Sequence, residues 1–156
     1  MPIGRHLHVL VAAVAAATAT GCDPGYTYNP FDEAGKPVEE RSAKIGDVRF
    51  AIRPGSILIG SQSDFIELTV ENKSTNEVEV IGAEIETAGR TLLAGLWPGP
   101  DGREERTVPA GTTKNVTLLV ELGGAASEVL ASSITHVWRV RIGSAEHVLR
   151  FELRRE

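Results

Sequence analysis

Apolar and polar residues alternate along most of the chain after about residue 44. The alternating runs cover residues 48–52, 66–70, 78–85 and 116–122. Turn residues separate them, as in Pro54-Gly55 and in the stretch 72–76. Period-two alternation between turns is the pattern of strands with one buried face. The chain therefore predicts an all-β fold, an antiparallel sandwich of about seven strands.

The run at 78–85 contains one break in its alternation. Val78 and Val80 share one phase, whereas Ile81, Ala83 and Ile85 share the other, and Gly82 lies beside the slip. A one-residue slip next to glycine is typical of a β-bulge, which places two residues opposite one. We expect a bulge at this position.

The last two strands predict a hairpin with a defined register. Gly143-Ser144 suits a two-residue turn with glycine at the first central position. A slip of one residue would place Trp138 and Phe151 on opposite faces, so the pattern and the turn agree. The predicted pairs are Ile142 with Ala145, Val140 with His147, Trp138 with Leu149, and His136 with Phe151.

The N-terminus has the features of an export signal. One basic residue, Arg5, precedes the largely apolar run 7–19, and small residues follow before Cys22, the single cysteine of the chain. This order describes a secretory signal peptide over residues 1–21. The run is shorter than the ~20 residues that span a bilayer, which disfavours a membrane helix.

The residues Ala19-Thr20-Gly21-Cys22 resemble the lipobox of bacterial lipoproteins. The resemblance implies a diacylglyceryl group on the Cys22 sulfur and cleavage before Cys22. It implies membrane anchoring in the cell envelope, facing the periplasm. A plain secretory signal cleaved nearby is the alternative. Asp23 resembles the inner-membrane retention signal of some enteric bacteria, which gives the inner membrane a slight preference over the outer.

Residues 22–43 differ in composition from the rest of the chain. Three prolines and two glycines fall between Asp23 and Ala43, without a sustained apolar period. Such a segment predicts a flexible linker, followed by a β-sandwich domain over 44–156. Tyr26, Tyr28 and Phe31 are explained either as linker aromatics resting at the membrane interface or as a short docking strand for a partner.

Charge and cysteine content exclude several function classes. Removal of residues 1–21 leaves 15 basic and 21 acidic residues, a net charge of −6. This balance argues against nucleic acid as a partner, because phosphates favour clustered Lys and Arg. No cysteine remains in the domain for thiol chemistry or a zinc ribbon. We expect a monomeric domain without a cofactor.

Two histidines, His136 and His147, remain after cleavage, both on the predicted inner face of the hairpin. In the predicted register His136 lies four residues from Val140, the partner of His147, which is about 13 Å along a strand. One metal ion cannot bridge that distance. The histidines are therefore interpreted as core residues, and no metal site is predicted.

Three arginines form a basic stripe on the outer face of the same hairpin: Arg139, Arg141 and Arg150. They predict either a docking face for an acidic partner or anionic envelope polymer, or local pairing with Glu146 and Glu152.

Trp97 lies in a Pro- and Gly-rich loop, and Ser127 is a candidate N-cap for one helical turn. Trp97 and the three arginines are the candidate binding residues.

The domain resembles, in general style, the immunoglobulin-like domains of exported bacterial proteins. The residues that carry the resemblance are Leu68–Ser74, a strand that runs into an Asn-Lys-Ser turn, and Val108–Thr113. The resemblance implies a non-catalytic module that binds an envelope protein or polymer, with strand addition at a sheet edge as one mode. The alternative is a hydrolase-like or small-ligand-binding activity in the loops near Trp97 and His136.

Overall fold

The computed structural model describes residues 25–58, 63–96, 103–122 and 132–155, and almost all of its regular structure is β-strand. One helical turn, α1 (Arg103–Arg106), is the exception within these ranges, and no described helix could span a membrane. The strands are β1 (Gly25–Pro30), β2 (Arg41–Ile45), β3 (Val48–Ile52), β4 (Gly55–Leu58), β5 (Ser63–Asn72), β6 (Val78–Thr87), β7 (Arg90–Leu96), β8 (Thr107–Val108), β9 (Thr113–Glu121), β10 (Ser133–Ile142) and β11 (Ala145–Arg155).

The strands pair antiparallel in the order β2-β3-β5-β9-β7-β6-β10-β11-β1-β4, with β8 beside β6. The sheet curls so that its two halves enclose one core. This confirms the predicted all-β antiparallel sandwich. The described residues contain eleven strands, more than the expected seven. β1, β2, β4, β7 and β8 are short or lack a clean alternation, so the periodicity did not reveal them.

The core is formed by the alternating positions of both halves. Phe50 and Leu68 come from one half and Trp138, Phe151 and Ile85 from the other, and all are fully or almost fully buried. Burying a large apolar side chain contributes about 1.5–3 kcal/mol, so these strands hold together mainly through this shared core.

The predicted hairpin and bulge are both confirmed. β10 and β11 pair in the predicted register, with Trp138 opposite Leu149 and His136 opposite Phe151. Gly143 has a φ of 59°, which its missing Cβ permits. The register between β10 and β6 shifts between Arg139 and Val140, where the partner residue changes from Gly82 to Val80. Ile81 is the extra residue of the bulge.

The prediction of a flexible linker is wrong for residues 25–43. β1 lies between β11 and β4, with Tyr28 opposite Arg155 on one side and Gly55 on the other. Tyr28 is only 1% exposed and belongs to the core. The domain therefore includes Gly25 and does not begin at residue 44.

The aromatic residues of this segment contact the domain itself. The Arg155 guanidinium lies 4.3 Å from the centre of the Tyr26 ring, and that of Arg154 lies 4.6 Å from the Phe31 ring. Such cation–π contacts contribute about 0.5–1 kcal/mol at exposed sites. Two polar contacts close the turn after β1: Asp32 N–H donates to the Lys36 carbonyl, and Lys36 N–H donates to Asp32 Oδ1. Tyr26 and Phe31 thus contact arginines of the domain itself, where the linker interpretation had assigned them to the membrane or to a partner.

A buried asparagine joins two turns, one after β5 and one after β8. Asn72 is 1% exposed, and its Nδ2 donates to the carbonyls of Asn76 at 2.8 Å and Val108 at 3.1 Å. Its Oδ1 accepts from the Ser74 hydroxyl at 2.7 Å. The Asn-Lys-Ser turn of the sequence is therefore a structural junction, since its amide is fully engaged in hydrogen bonds.

Candidate functional site

A cavity of about 260 Å³ lies where β1, β3, β4, β5, β10 and β11 meet. β4 ends the strand order and lies against β5, so the cavity occupies the seam at which the curled sheet does not close. The chain between Ile52 and Gly55 crosses this seam and contributes Arg53 and Pro54 to its lining. Concave sites at such junctions are where small ligands commonly bind.

The lining combines an apolar body with a few polar groups. Ile66, Ile134 and Leu153 are buried aliphatic residues, and the aromatic residues Tyr28 and Phe65 also line the cavity. Phe65 is 52% exposed, although it occupies a strand. An exposed aromatic residue at the margin of a cavity gives an entering ligand apolar surface to contact.

The described charged residues of the lining, Arg53 and Glu67, lie on its exposed side. The Arg53 side chain is 68% exposed, and its Nε lies 3.5 Å from a Glu40 carboxylate oxygen. Glu67 is exposed. Burial is the main influence on Tyr28 and raises the pKa of its phenol, so the buried part of the lining is uncharged at neutral pH.

His136 is the polar group of the cavity that stands out. It is 7% exposed, and within the described part of the chain its Nδ1 has no hydrogen-bond partner. Burial lowers the pKa of His136 to about 4, because the imidazolium form would lose its hydration. The ring is therefore neutral at pH 7. Among the described residues, Trp138 Nε1 and Arg106 Nε are also buried without a hydrogen-bond partner, but neither residue lines the cavity.

The two histidines are separated as predicted. His147 is half-buried and pairs with Val140, four residues along β10 from His136. Among the described residues no group of three His, Cys, Asp or Glu could hold a metal ion. The two imidazoles are therefore too far apart to bind the same metal ion.

The predicted arginine stripe lies on the outer face of the sheet, away from the cavity, and each arginine contacts a carboxylate. Arg141 donates to Glu79 at 2.9 Å and to Glu146 at 2.8 Å. In the neighbouring pairs, Arg139 contacts Glu84 at 3.4 Å and Arg150 contacts Glu86.

One of the two acids expected to pair with the stripe does so. Glu146 contacts Arg141, whereas Glu152 contacts Arg154 at 3.1 Å. Acidic residues of β6 pair with the arginines where Glu152 was expected to do so, and the spacing of the sequence did not show this. They are Glu79, Glu84 and Glu86. Local pairing is therefore the state of these arginines in the isolated domain.

Several predicted features lie outside the described residues. These are the signal peptide, Cys22, the loop residue Trp97 and the helical turn at Ser127. His136 lines the cavity together with residues that the sequence did not indicate as site residues, such as Phe65 and Ile66.

The missed residues carried weak signals. Phe65 is a large aromatic residue at a position whose neighbours Ile66 and Leu68 mark the opposite face as buried. Tyr26 and Tyr28 share the period-two spacing of a strand. Each signal alone is common in β-proteins, and only the paired strands bring these residues to one site.

Comparison with family models, characterised proteins and solved structures finds no match for this chain.

Proposed function

We propose that the protein is a lipid-anchored, non-catalytic binding module of the bacterial cell envelope, and that it binds a small ligand in the seam cavity. The observation that carries this proposal is the cavity of about 260 Å³ with the buried, unpartnered His136 in its lining. An apolar pocket with a few convergent polar groups is the usual form of a small-molecule site.

The proposed lipid anchor rests on the lipobox-like sequence, and the fold determines how close the domain would lie to the membrane. β1 begins at Gly25, three residues after Cys22. Three extended residues span at most about 11 Å. Acylation of Cys22 would therefore hold the end of the sandwich at Gly25 close to the bilayer, without a long spacer.

Binding is favoured over hydrolysis by the state of His136. A general base works best when its pKa lies near the operating pH, whereas the pKa of His136 is lowered to about 4. In a Ser-His-Asp triad a carboxylate accepts from Nδ1 and orients the ring. Nδ1 of His136 has no such partner in the described residues. The imidazole is thus arranged to recognise a ligand rather than to move a proton.

A cavity-narrowing variant tests this proposal. Ala51 is buried and lines the cavity, whereas Ala43 on β2 is half-buried and does not line it. We expect Ala51→Leu to remove binding of small aromatic fragments in ligand-observed NMR, and Ala43→Leu to leave it unchanged. Both variants are first matched for folding by circular dichroism. Equal fragment binding by the two variants would contradict the proposal.

A second candidate is an envelope protein or polymer bound at the outer face of the terminal hairpin. Val148, 61% exposed, lies opposite Arg139 in this face and supplies apolar surface among the charges. A partner would have to replace the carboxylates that now contact the arginines. Reversal of Arg139, Arg141 and Arg150 to Glu would remove capture of such a partner from solubilised envelopes, while fragment binding in the cavity would persist.

A further inference from the structure

We infer that the seam cavity selects a neutral, compact aromatic molecule that carries one hydroxyl group, and that the hydroxyl pairs with His136. This inference rests on the proposed function, in which the cavity is the binding site. It adds the chemical class of the ligand, which follows from the size, lining, charge and unpaired polar group of the cavity.

Size sets the scale of the ligand. A cavity of about 150 Å³ lined by apolar side chains takes up benzene. The seam cavity, at about 260 Å³, has room for a substituted single ring or a small fused one. Larger ligands would have to extend past Phe65 toward solvent.

The lining favours an apolar, flat body. Ile66, Ile134 and Leu153 offer buried aliphatic contacts, and the rings of Tyr28 and Phe65 also line the cavity. Aromatic rings gain about 0.5–1.5 kcal/mol beyond their buried area when they pack edge-to-face or offset against one another. An aromatic ligand uses both kinds of surface.

The charge distribution favours a neutral ligand. Arg53 is the cation of the lining, and it is largely exposed and lies near Glu40. At the buried side the histidine is neutral at pH 7. A carboxylate placed there would lose its hydration without gaining a charged partner, which is costly.

The unpaired nitrogen identifies the polar group of the ligand. Nδ1 of His136 is fully buried and without a partner in the described part of the chain. The χ2 torsion of histidine is roughly two-fold, so the ring has two orientations, which exchange the edge that carries Nδ1 with the edge that carries Cδ2. A hydroxyl both donates and accepts and therefore pairs with the imidazole in either tautomer.

Three matched probes test the inference: 4-ethylphenol, ethylbenzene and 4-ethylbenzoate. The protein is the mature chain, residues 22–156, with Cys22→Ser to prevent acylation. We expect 4-ethylphenol to bind about tenfold or more tightly than ethylbenzene, since the latter leaves His136 unpaired. His136→Leu should reduce this ratio to about one while ethylbenzene still binds. In the wild type, the ring ¹⁵N resonances of His136 should shift with the phenol and not with ethylbenzene.

The outcomes separate this inference from the proposed function. Equal binding of the phenol and ethylbenzene by the wild type would overturn the hydroxyl assignment and leave the cavity as a binding site. Tighter binding of 4-ethylbenzoate than of 4-ethylphenol would overturn the neutral class. Binding of none of the three probes would overturn the inference and the proposed function together. If His136→Leu does not fold, the ¹⁵N shifts of the wild type decide the matter alone.

Discussion

The buried His136 should make the free energy of unfolding depend on pH, and replacing this residue should remove that part of the pH dependence. Burial lowers the pKa of His136 from 6.5 to about 4. Between these values the unfolded chain binds a proton at this residue and the folded chain does not. Protonation of His136 therefore favours the unfolded state. The stability that the protein has with a neutral His136 is fully present above pH 6.5 and is lost as the pH falls toward 4.

The size of the effect follows from the shift. One pKa unit corresponds to 1.36 kcal/mol, so the full displacement of about 2.5 units is worth about 3 kcal/mol. Between pH 7 and pH 4.5, where both states are partly titrated, the expected loss from His136 is about 2 kcal/mol. Carboxylates whose pKa is lowered by cationic partners, Glu40 beside Arg49 and Glu71 beside Lys73, add their own losses in acid.

Urea denaturation of wild type and His136→Gln at pH 7.0 and pH 4.5 isolates the histidine, because the carboxylate losses are common to both proteins. The wild type should lose about 2 kcal/mol more than the variant over this interval. His147→Gln, at a half-buried position of the same hairpin, serves as the matched control for a histidine-to-glutamine change. Identical pH dependence of wild type and His136→Gln would refute the description of His136 as a buried neutral base.

Three further predictions address the fold and the anchor. A chain starting at Lys44 should fail to give a cooperative thermal transition, whereas one starting at Gly25 should give one. The reason is that loss of the buried Tyr28 ring alone costs about 3–5 kcal/mol. Equal transitions would contradict the assignment of β1 to the core. Asn72→Ala should lower the free energy of unfolding by about 2 kcal/mol or more in urea, since it removes a buried amide that donates to two backbone carbonyls. Asn76→Ala is the exposed control, and equal losses would refute the junction. Cys22→Ser should abolish incorporation of labelled palmitate, and label on the variant would rule out the lipoprotein anchor.

Local patterns predicted the parts of the fold that depend on neighbouring residues. The register of the terminal hairpin follows from Gly143 and the alternation on both sides of it, and the bulge follows from one slip beside Gly82. The two strands of the hairpin are adjacent along the chain, and the slip is visible because the residues on both sides of it alternate. The sequence therefore contained the necessary information within short windows.

The N-terminal strand and the cavity depend on contacts between distant parts of the chain. Tyr28 pairs with Gly55 and Arg155, and its own segment is rich in proline and glycine. Composition alone describes such a segment as a linker, because the apolar surface that it buries belongs to strands far along the chain. The same reason hid the cavity, whose lining comes from six strands.

The most direct test of the central claim is to locate a bound fragment by NMR. Methyl groups of Ile66, Ile134 and Leu153 report on the cavity, and those of Val148 report on the outer face. Titration with 4-ethylphenol should shift the three cavity residues in a saturable manner, together with the ring of His136, and leave Val148 unchanged. Saturable shifts at Val148 with unmoved cavity methyl groups, or no saturable shifts at all, would contradict the account.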